Sequence, residues 1–573
     1  MDRDRVVVNR WWRRPGWAAA TEGGRPRAPA GRFRPAAAAG RALLIGTPLA
    51  FLGYFFLYPL LSILAVSLGS EGSPLAPFVT LLSRPSLRQA AWFTLWQAAV
   101  STILTMIVAL PGAYVLARFR FPGRTLVRAA VTVPFVLPTV VVGSAFLALL
   151  GPSSPIGLDL RHTVWVILLA HVFFNYAVVI RTVGGLWSHL DPRLEEAARM
   201  LGAGRLRVFR EITLPLLAPA LAAAASIVFL FTFTSFGVIL ILGGFHYVTI
   251  EVEIWRQTTQ FLNLSLAAAL AVLQLAGVVG LLTAYSRYQE RRAVQQTLRP
   301  AIEAARRPRT RGEWALVAGN LTFMAFFLGV PLLVLAERSV HTVGGYGLAY
   351  YSALFTQRGT ALFVPPAVGL RNSLVFAFAA TLIAAVVGLM ASTVIAYRKG
   401  RISRWFDVLL MLPLGTSAVT IGFGFLVALG RPIDLRASPV IIPIAHSLVA
   451  IPFVVRSAVP VMRSVRRGLR DVAAVLGAAP FRVWREVDLP LVARAAAVGA
   501  GFAFAVSLGE FGATAFIARP NTPTVPVAIF RLLSQPGASN FGQAMALSTI
   551  LMLLTAAAVL VIERLRPSGE AEF

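Results

Sequence analysis

Residues 196–202 read Glu196-Ala197-Ala198-Arg199-Met200-Leu201-Gly202, and after nine residues comes Ile212-Thr213-Leu214-Pro215. The pattern returns 275 residues later as Asp471-Val472-Ala473-Ala474-Val475-Leu476-Gly477, nine residues, and Val487-Asp488-Leu489-Pro490. An acid and small residues suit the opening of a short helix, whose N-terminal dipole favours negative charge. The glycine ends or bends that helix, and Leu-Pro opens a new one. The expected product is a short surface helix, small enough on one side to seat in another protein's groove. Its plain alternative is an amphipathic helix without a partner.

The repeat extends well beyond this loop. At the same offset His171 falls on His446, Arg181 on Arg456, Ser235 on Glu510, Phe236-Gly237 on Phe511-Gly512, Thr249 on Thr524 and Arg256 on Arg531. Upstream the offset is 279, with Pro134 on Pro413, Gly143 on Gly422 and Gly151 on Gly430. One four-residue slip in a loop reconciles the two. The chain is one unit written twice in the same orientation, and such a repeat implies a pseudo-twofold along the membrane normal.

Around the loops the chain is apolar: 57% of 573 residues are hydrophobic and 13% charged. A soluble domain carries about 25% charged residues, which excludes that class, and disorder fails for the same reason. A bilayer core takes about 20 apolar residues per helix. Spans are expected near 42–68, 91–117, 126–150, 162–180, 216–242 and 262–284, and again near 314–336, 372–397, 406–429, 438–455, 492–518 and 542–562. The expected fold class is an all-α polytopic membrane protein of twelve helices in two six-helix repeats. The corresponding domains are 42–284 and 314–566, with a linker at 285–313 and tails at 1–41 and 567–573.

The net charge of +29 places 42 of 53 Lys and Arg on one side of these spans. The positive-inside rule makes that side cytoplasmic, with both termini there, as an even number of spans requires. This distribution, with arginines flanking spans and forming no recognition motif, speaks against nucleic acid. The Arg-, Pro- and Ala-rich tail reads as disordered and lacks the short apolar core of a signal peptide; Trp11, Trp12 and Trp17 among its arginines suit contact with membrane lipid. With no cysteine and six scattered histidines, neither thiol chemistry nor a metal cluster is expected. A phosphate-binding G-x4-G-K-[ST] loop is missing from the sequence, so no catalytic residue is assigned and ATP chemistry would belong to separate subunits.

Polar groups inside the spans are the pathway candidates. Glu510 is the acid placed deepest, lining a pathway or, alternatively, lying near the outer interface or pairing with Arg519. His171 and His446 share one repeat position, which favours hydrogen-bonded packing residues over ligands; Asn175 follows His171 by one turn. Pro134, Pro138 and Pro413 are expected to kink the third and ninth spans. Gly237 and Gly512, beside Ser235 and Glu510, end apolar segments where a backbone opening would form part of a gate.

The duplicated loop resembles the E-A-A-x3-G-x9-I-x-L-P loop of ABC-importer permeases, departing from it at Asp471 and Val472. The resemblance covers about residues 90–285 and 370–565 and implies the type I importer permease fold. It further implies that Glu196, Ala197, Ala198, Gly202, Asp471, Ala473 and Gly477 form coupling helices docked on two ATPase subunits carrying ATP-Mg. An extracytoplasmic solute-binding protein is implied as well, with the chain in a bacterial-type inner membrane. A fused two-copy permease resembles the ferric-iron and thiamine importers. Ala170-His171-Val172-Phe173-Phe174-Asn175 and Thr249-Ile250-Glu251 look most like the thiamine type, whereas Leu508-Gly509-Glu510-Phe511-Gly512-Ala513-Thr514 is similar also to ferric-iron, sulfate and molybdate permeases. Thiamine or ferric iron is the expected substrate, with an oxyanion as the alternative. A twelve-span secondary transporter is the rival class, and the scarcity of charges within the spans counts against it.

Overall fold

Apolar runs become helices here because hydrocarbon offers a backbone group no partner outside its own segment. The structure, a computed structural model, describes residues 34–69, 73, 75–292, 305–356, 361–397, 400–430, 434–465 and 467–565. Most of the first expected tail, 1–33, the last tail, 567–573, and linker residues 293–304 lie outside the described residues. Among the described residues ten helices are long and apolar enough to cross a membrane, or up to twelve spans if each of two bent helix pairs is one. In the first half these are Ala42–Leu68, Pro85–Arg118, Val164–Trp187, Arg205–Phe233 and Leu264–Glu290. In the second they are Arg311–Val340, Pro366–Tyr397, Ile441–Ser464, Phe481–Gly509 and Ala538–Leu565. Residues 34–41, expected in the tail, instead begin the helix Arg34–Leu52.

The third and ninth spans depart most from expectation. Each is a bent pair, Arg124–Val136 with Thr139–Leu150 at 98° and Ser403–Pro413 with Ala418–Ala428 at 93°. Pro138 and Ser417 sit at the N-caps of the second arms, whereas Pro134 and Pro413 lie inside the first arms, which run on to Val136 and Gly415, so each span breaks after these prolines where a kink was expected at them. The expected spans 216–242 and 492–518 are also interrupted. Their long helices stop at Phe233 and Gly509, and short helices Gly237–Leu242 and Thr514–Ile517 follow a break.

The two halves are not separate bundles. The first span of the first half lies on the second half, with Leu52 and Phe56 in a core shared with Phe425 and His446's neighbours Ala445 and Leu448. Pro59 and Ile63 approach Gly424 so closely that a Cβ there would crowd both. Reciprocally, Phe327 of the helix Arg311–Val340 packs on Phe173 and Tyr176 of the first half, and Met324 seats over Gly112. The end of the linker is pinned to the first half too. Arg306 exchanges backbone hydrogen bonds with residues 118 and 120, its guanidinium lies 5.4 Å from the Phe119 ring, and it pairs with Glu313.

Among the described residues three π-helical segments, Gly53–Leu57, Phe209–Thr213 and Trp484–Asp488, each end two residues before a proline. Proline lacks an N–H and its ring crowds the carbonyl four residues back. The chain answers with i+5 bonds, such as Leu214 N to Phe209 O and Leu489 N to Trp484 O. The second and third segments occupy identical repeat positions, just after the repeated loops.

Candidate functional site

The repeat arithmetic becomes geometry where the halves meet. Phe236 stacks on Phe511, its own repeat mate, with ring centroids 5.2 Å apart and planes at 26°. Trp255 meets its mate Phe530 edge-on at 5.7 Å and 87°. A residue can touch its own mate only close to the axis that relates them, so these four rings lie on the pseudo-twofold. Cross-contacts Phe236–Trp255 at 6.5 Å and Phe511–Phe530 at 5.7 Å close the group. Phe236 and Phe511 sit in the breaks of the interrupted spans. Trp255 and Phe530 sit on the helices Ile250–Thr259 and Val525–Leu533, which sequence reading left in outer loops.

Hydroxyls position these helices identically in both halves. Thr94 Oγ1 accepts from Ile250 N at 2.9 Å, and Ser373 Oγ from Val525 N at 2.8 Å. The breaks are pinned by the duplicated histidines. His171 bridges Ser101 Oγ (Nδ1, 3.1 Å) and Ser235 Oγ (Nε2, 2.9 Å). His446 bridges Ser507 Oγ (Nδ1, 2.7 Å) and Thr514 Oγ1 (Nε2, 2.8 Å), with Glu510 Oε2 at 3.1 Å from Nε2. Asn175 donates to the His171 carbonyl, away from its ring. The Glu510 carboxylate also accepts from Ala513 N at 2.8 Å, Thr514 N at 3.2 Å and Thr514 Oγ1 at 2.6 Å. Glu510 therefore caps the short helix after the break and pairs with His446. Arg519, its expected alternative partner, donates instead to the Arg436 carbonyl.

Gly237 and Gly512 are where the breaks press on the second arms of the bent spans. A Cβ on Gly237 would collide with Thr139 Oγ1, and one on Gly512 would meet Ala418 Cβ at 3.0 Å and Val419 N at 3.2 Å. A second buried acid is Glu251, of the segment Thr249-Ile250-Glu251. It is 0% exposed, accepts from Gln274 Nε2 at 2.7 Å, and leaves its Oε2 without a hydrogen-bond partner. Its signal in sequence was weak because it stands outside every predicted span.

The repeated loops form at one end of the helices. The helix carrying Glu196, Ala197 and Ala198 runs Pro192–Met200, with Asp191 as N-cap accepting from Arg193 N at 3.0 Å. Glu196 therefore lies inside the helix and does not open it as expected; Asp471 and Ala473 likewise lie inside Arg467–Val475. Gly202 and Gly477 end these helices at φ of +85° and +83°. In each copy the N–H three residues past the helix bonds back across the turn: Ala203 N to Ala198 O and Ala478 N to Ala473 O, both 3.0 Å. This closing turn demands left-handed backbone, which is why glycine stands there. It lifts Met200 and Leu201, both 88% exposed, and Val475 and Leu476, 87% and 81% exposed, off the surface as apolar knobs.

Each loop is anchored by a charged group that sequence reading missed. In the first half Arg118 donates to Glu195 at 2.7 Å, and Thr213 Oγ1 donates to the same oxygen at 3.1 Å. In the second half the matching positions hold Tyr397, Arg470 and Asp488. Arg470 donates to Asp488 and to the Tyr397 hydroxyl, both at 2.7 Å, and its guanidinium lies 4.1 Å from the Tyr397 ring. The polarity is inverted and the architecture kept. At the far ends of the bent spans, Arg161 and Arg436 hold the repeat-mate carboxyls of Asp159 and Asp434 below the usual carboxylate range by side-chain hydrogen bonds.

A family model described as "Binding-protein-dependent transport system inner membrane component" matches residues 101–292 and, again, 384–567. The chain is 27% identical over 562 residues to the thiamine transport system permease protein ThiP of Brucella abortus, covering 95% of this chain and 99% of that one. It is 26% identical over 545 residues to "Probable ABC transporter permease protein y4fN" of Sinorhizobium fredii, covering 89% and 94%. A sulfate transport system permease protein, CysT of Salmonella typhimurium, is 35% identical over 212 residues, which is 36% of this chain and 76% of that protein.

Proposed function

This chain belongs to the family of binding-protein-dependent transport system inner membrane components, and from that premise we propose that it is the fused permease of an importer whose cargo is thiamine. It is a multi-pass inner-membrane permease of the ABC importer class, working with ATPase and substrate-binding partners. The loops ending at Gly202 and Gly477 are the coupling helices, each seating its apolar knob in one of two ATPase subunits. ATP and Mg2+ are held on those subunits, and both termini face the same cytoplasmic side. The observation that carries the cargo reading is the length of the likeness. Similarity to a thiamine permease runs through 95% of the chain, whereas similarity to the sulfate permease runs through 36%. The four rings that meet on the axis are the barrier the cargo must pass.

Uptake of labelled thiamine, sulfate and ferric ion tests the assignment, in cells that carry this chain with its ATPase and binding protein and lack their own importers. ATP-dependent accumulation of thiamine alone is expected. Accumulation of sulfate or iron without thiamine would overturn the cargo.

A further inference from the structure

Of the two acids buried between the halves, one is fully committed. Glu510 gives both carboxylate oxygens to His446, Ala513 and Thr514. Glu251 is as deeply buried, yet only its Oε1 is held, by Gln274. Its Oε2 has no hydrogen-bond partner, nor has the Gln274 carbonyl oxygen Oε1. Ser417 of the second half interacts with the carboxylate but does not meet Oε2 in hydrogen-bonding geometry. Leaving buried acceptors of this kind unpaired is costly, so they mark a place where a positive group is received.

Its position says what kind of group. Glu251 and Trp255 are four residues apart on the helix Ile250–Thr259, so they project from one face. Trp255 is one of the four rings on the axis. Its sequence neighbour Arg256 turns elsewhere, donating to the Gly244 carbonyl and lying 5.6 Å from the Phe245 ring. The second half has no counterpart, since the repeat mates of Glu251 and Gln274 are Pro526 and Thr549.

We propose that Glu251, with the Gln274 carbonyl oxygen and the axial rings one helical turn away, forms a transient subsite for a planar organic cation as it passes the closure. The inference rests on the reading of the chain as an importer of thiamine, and it names which residues meet the charge of that cargo. Aromatic faces attract cations through their quadrupole, and the Glu251 carboxyl, whose burial favours its neutral form while the place is empty, supplies the countercharge by releasing its proton as the cation arrives. A ferric ion wants several hard oxygen donors, which rings do not provide. A sulfate dianion would meet like charge from Glu251.

The test uses the complete complex of permease, ATPase and binding protein in vesicles, with labelled thiamine as probe. Glu251→Gln keeps size and the Gln274 bond while removing charge. Its maximal uptake rate is expected to fall about tenfold, the weight of one charge-assisted contact, with the half-saturating concentration, set by the binding protein, moving less than about twofold. Glu251→Asp is expected to recover part of the rate, and Trp255→Phe to retain more of it than Trp255→Leu. Wild-type rate in Glu251→Gln, with thiamine still carried by the wild type, overturns the subsite alone. Loss of both Glu251→Gln and Glu251→Asp from the membrane makes the residue structural and also overturns it. A wild-type complex that carries sulfate and no thiamine overturns the cargo reading and the subsite together.

Discussion

Phe236 and Phe511 occupy the same position in the two repeats and stack on each other at 5.2 Å. A stacked aromatic pair contributes about 0.5–1.5 kcal/mol beyond the area it buries, enough to favour closure and little enough to be opened by ATP-driven movement. Phe236→Leu with Phe511→Leu is expected to loosen the closure while preserving apolar volume. Thiamine preloaded into vesicles holding the double mutant should then leak without ATP, at least severalfold faster than from wild type. Equal leak rates would show that these rings do not hold the barrier.

Glu510 is expected to behave as a structural acid. Four hydrogen-bonding groups converge on its carboxylate, so Glu510→Ala should release the break and cost about 3 kcal/mol or more, seen as little protein in the membrane. Glu510→Gln retains about half of those bonds and should lower the thermal midpoint, while uptake per folded molecule stays within about twofold of wild type. Uptake falling as far as in Glu251→Gln, at equal protein, would return Glu510 to the pathway.

The inverted anchors make a transplant possible. Glu195→Arg alone sets two arginines against each other beside Arg118 and should destabilise the loop by about 2–4 kcal/mol, read as a fall in thermal midpoint and in co-purifying ATPase. Arg118→Tyr, Glu195→Arg and Thr213→Asp together install the second-half triad in the first half. The triple variant should recover most of the loss; recovery no better than the single variant would mean that the two anchors are not interchangeable.

Gly202 and Gly477 carry a backbone demand. A Cβ on either would meet nothing within 4 Å, so the penalty of substitution is the positive φ, about 1–2 kcal/mol for alanine. Asparagine, which tolerates this region, should couple ATP hydrolysis to uptake better than alanine, and valine worse than both. An order set by side-chain size alone, with asparagine behind alanine, would assign the glycines to contact with the partner.

Orientation can be read by labelling, because the chain has no cysteine of its own. Val343, 92% exposed beyond one end of the helix Arg311–Val340, and Thr310, exposed at its other end, are suitable sites. An impermeant reagent applied to intact cells should label Val343→Cys and spare Thr310→Cys. The reverse result would invert the topology.

The sequence by itself determined the class, the duplication and the position of the two repeated loops, and it set the count of spans to within the two bent pairs. Each depends on composition or on spacing along one chain: 20 apolar residues fill a bilayer core, a repeat offset is counted directly, and a left-handed turn asks for glycine at Gly202 and Gly477. The shared repeat position of His171 and His446 is matched by hydrogen bonds at both ring nitrogens in each half. What only the tertiary structure decided are relations between segments far apart in sequence. The breaks at Ser235 and Glu510 lie within uninterrupted apolar runs, because the groups that satisfy the opened backbone, such as the Glu510 cap, come from local polar contacts that hydropathy averages away. The exchange of first spans between halves and the anchors Arg118–Glu195 and Arg470–Asp488 pair residues on different helices, 77 and 18 positions apart in the anchors, for which periodicity carries no information. In the sequence Glu510 stands within an expected span and Glu251 in a polar stretch outside the spans, yet both end up buried. Which of them is free to meet a cation depends on how many donors the fold brings to each carboxylate, and that is settled only when the helices pack.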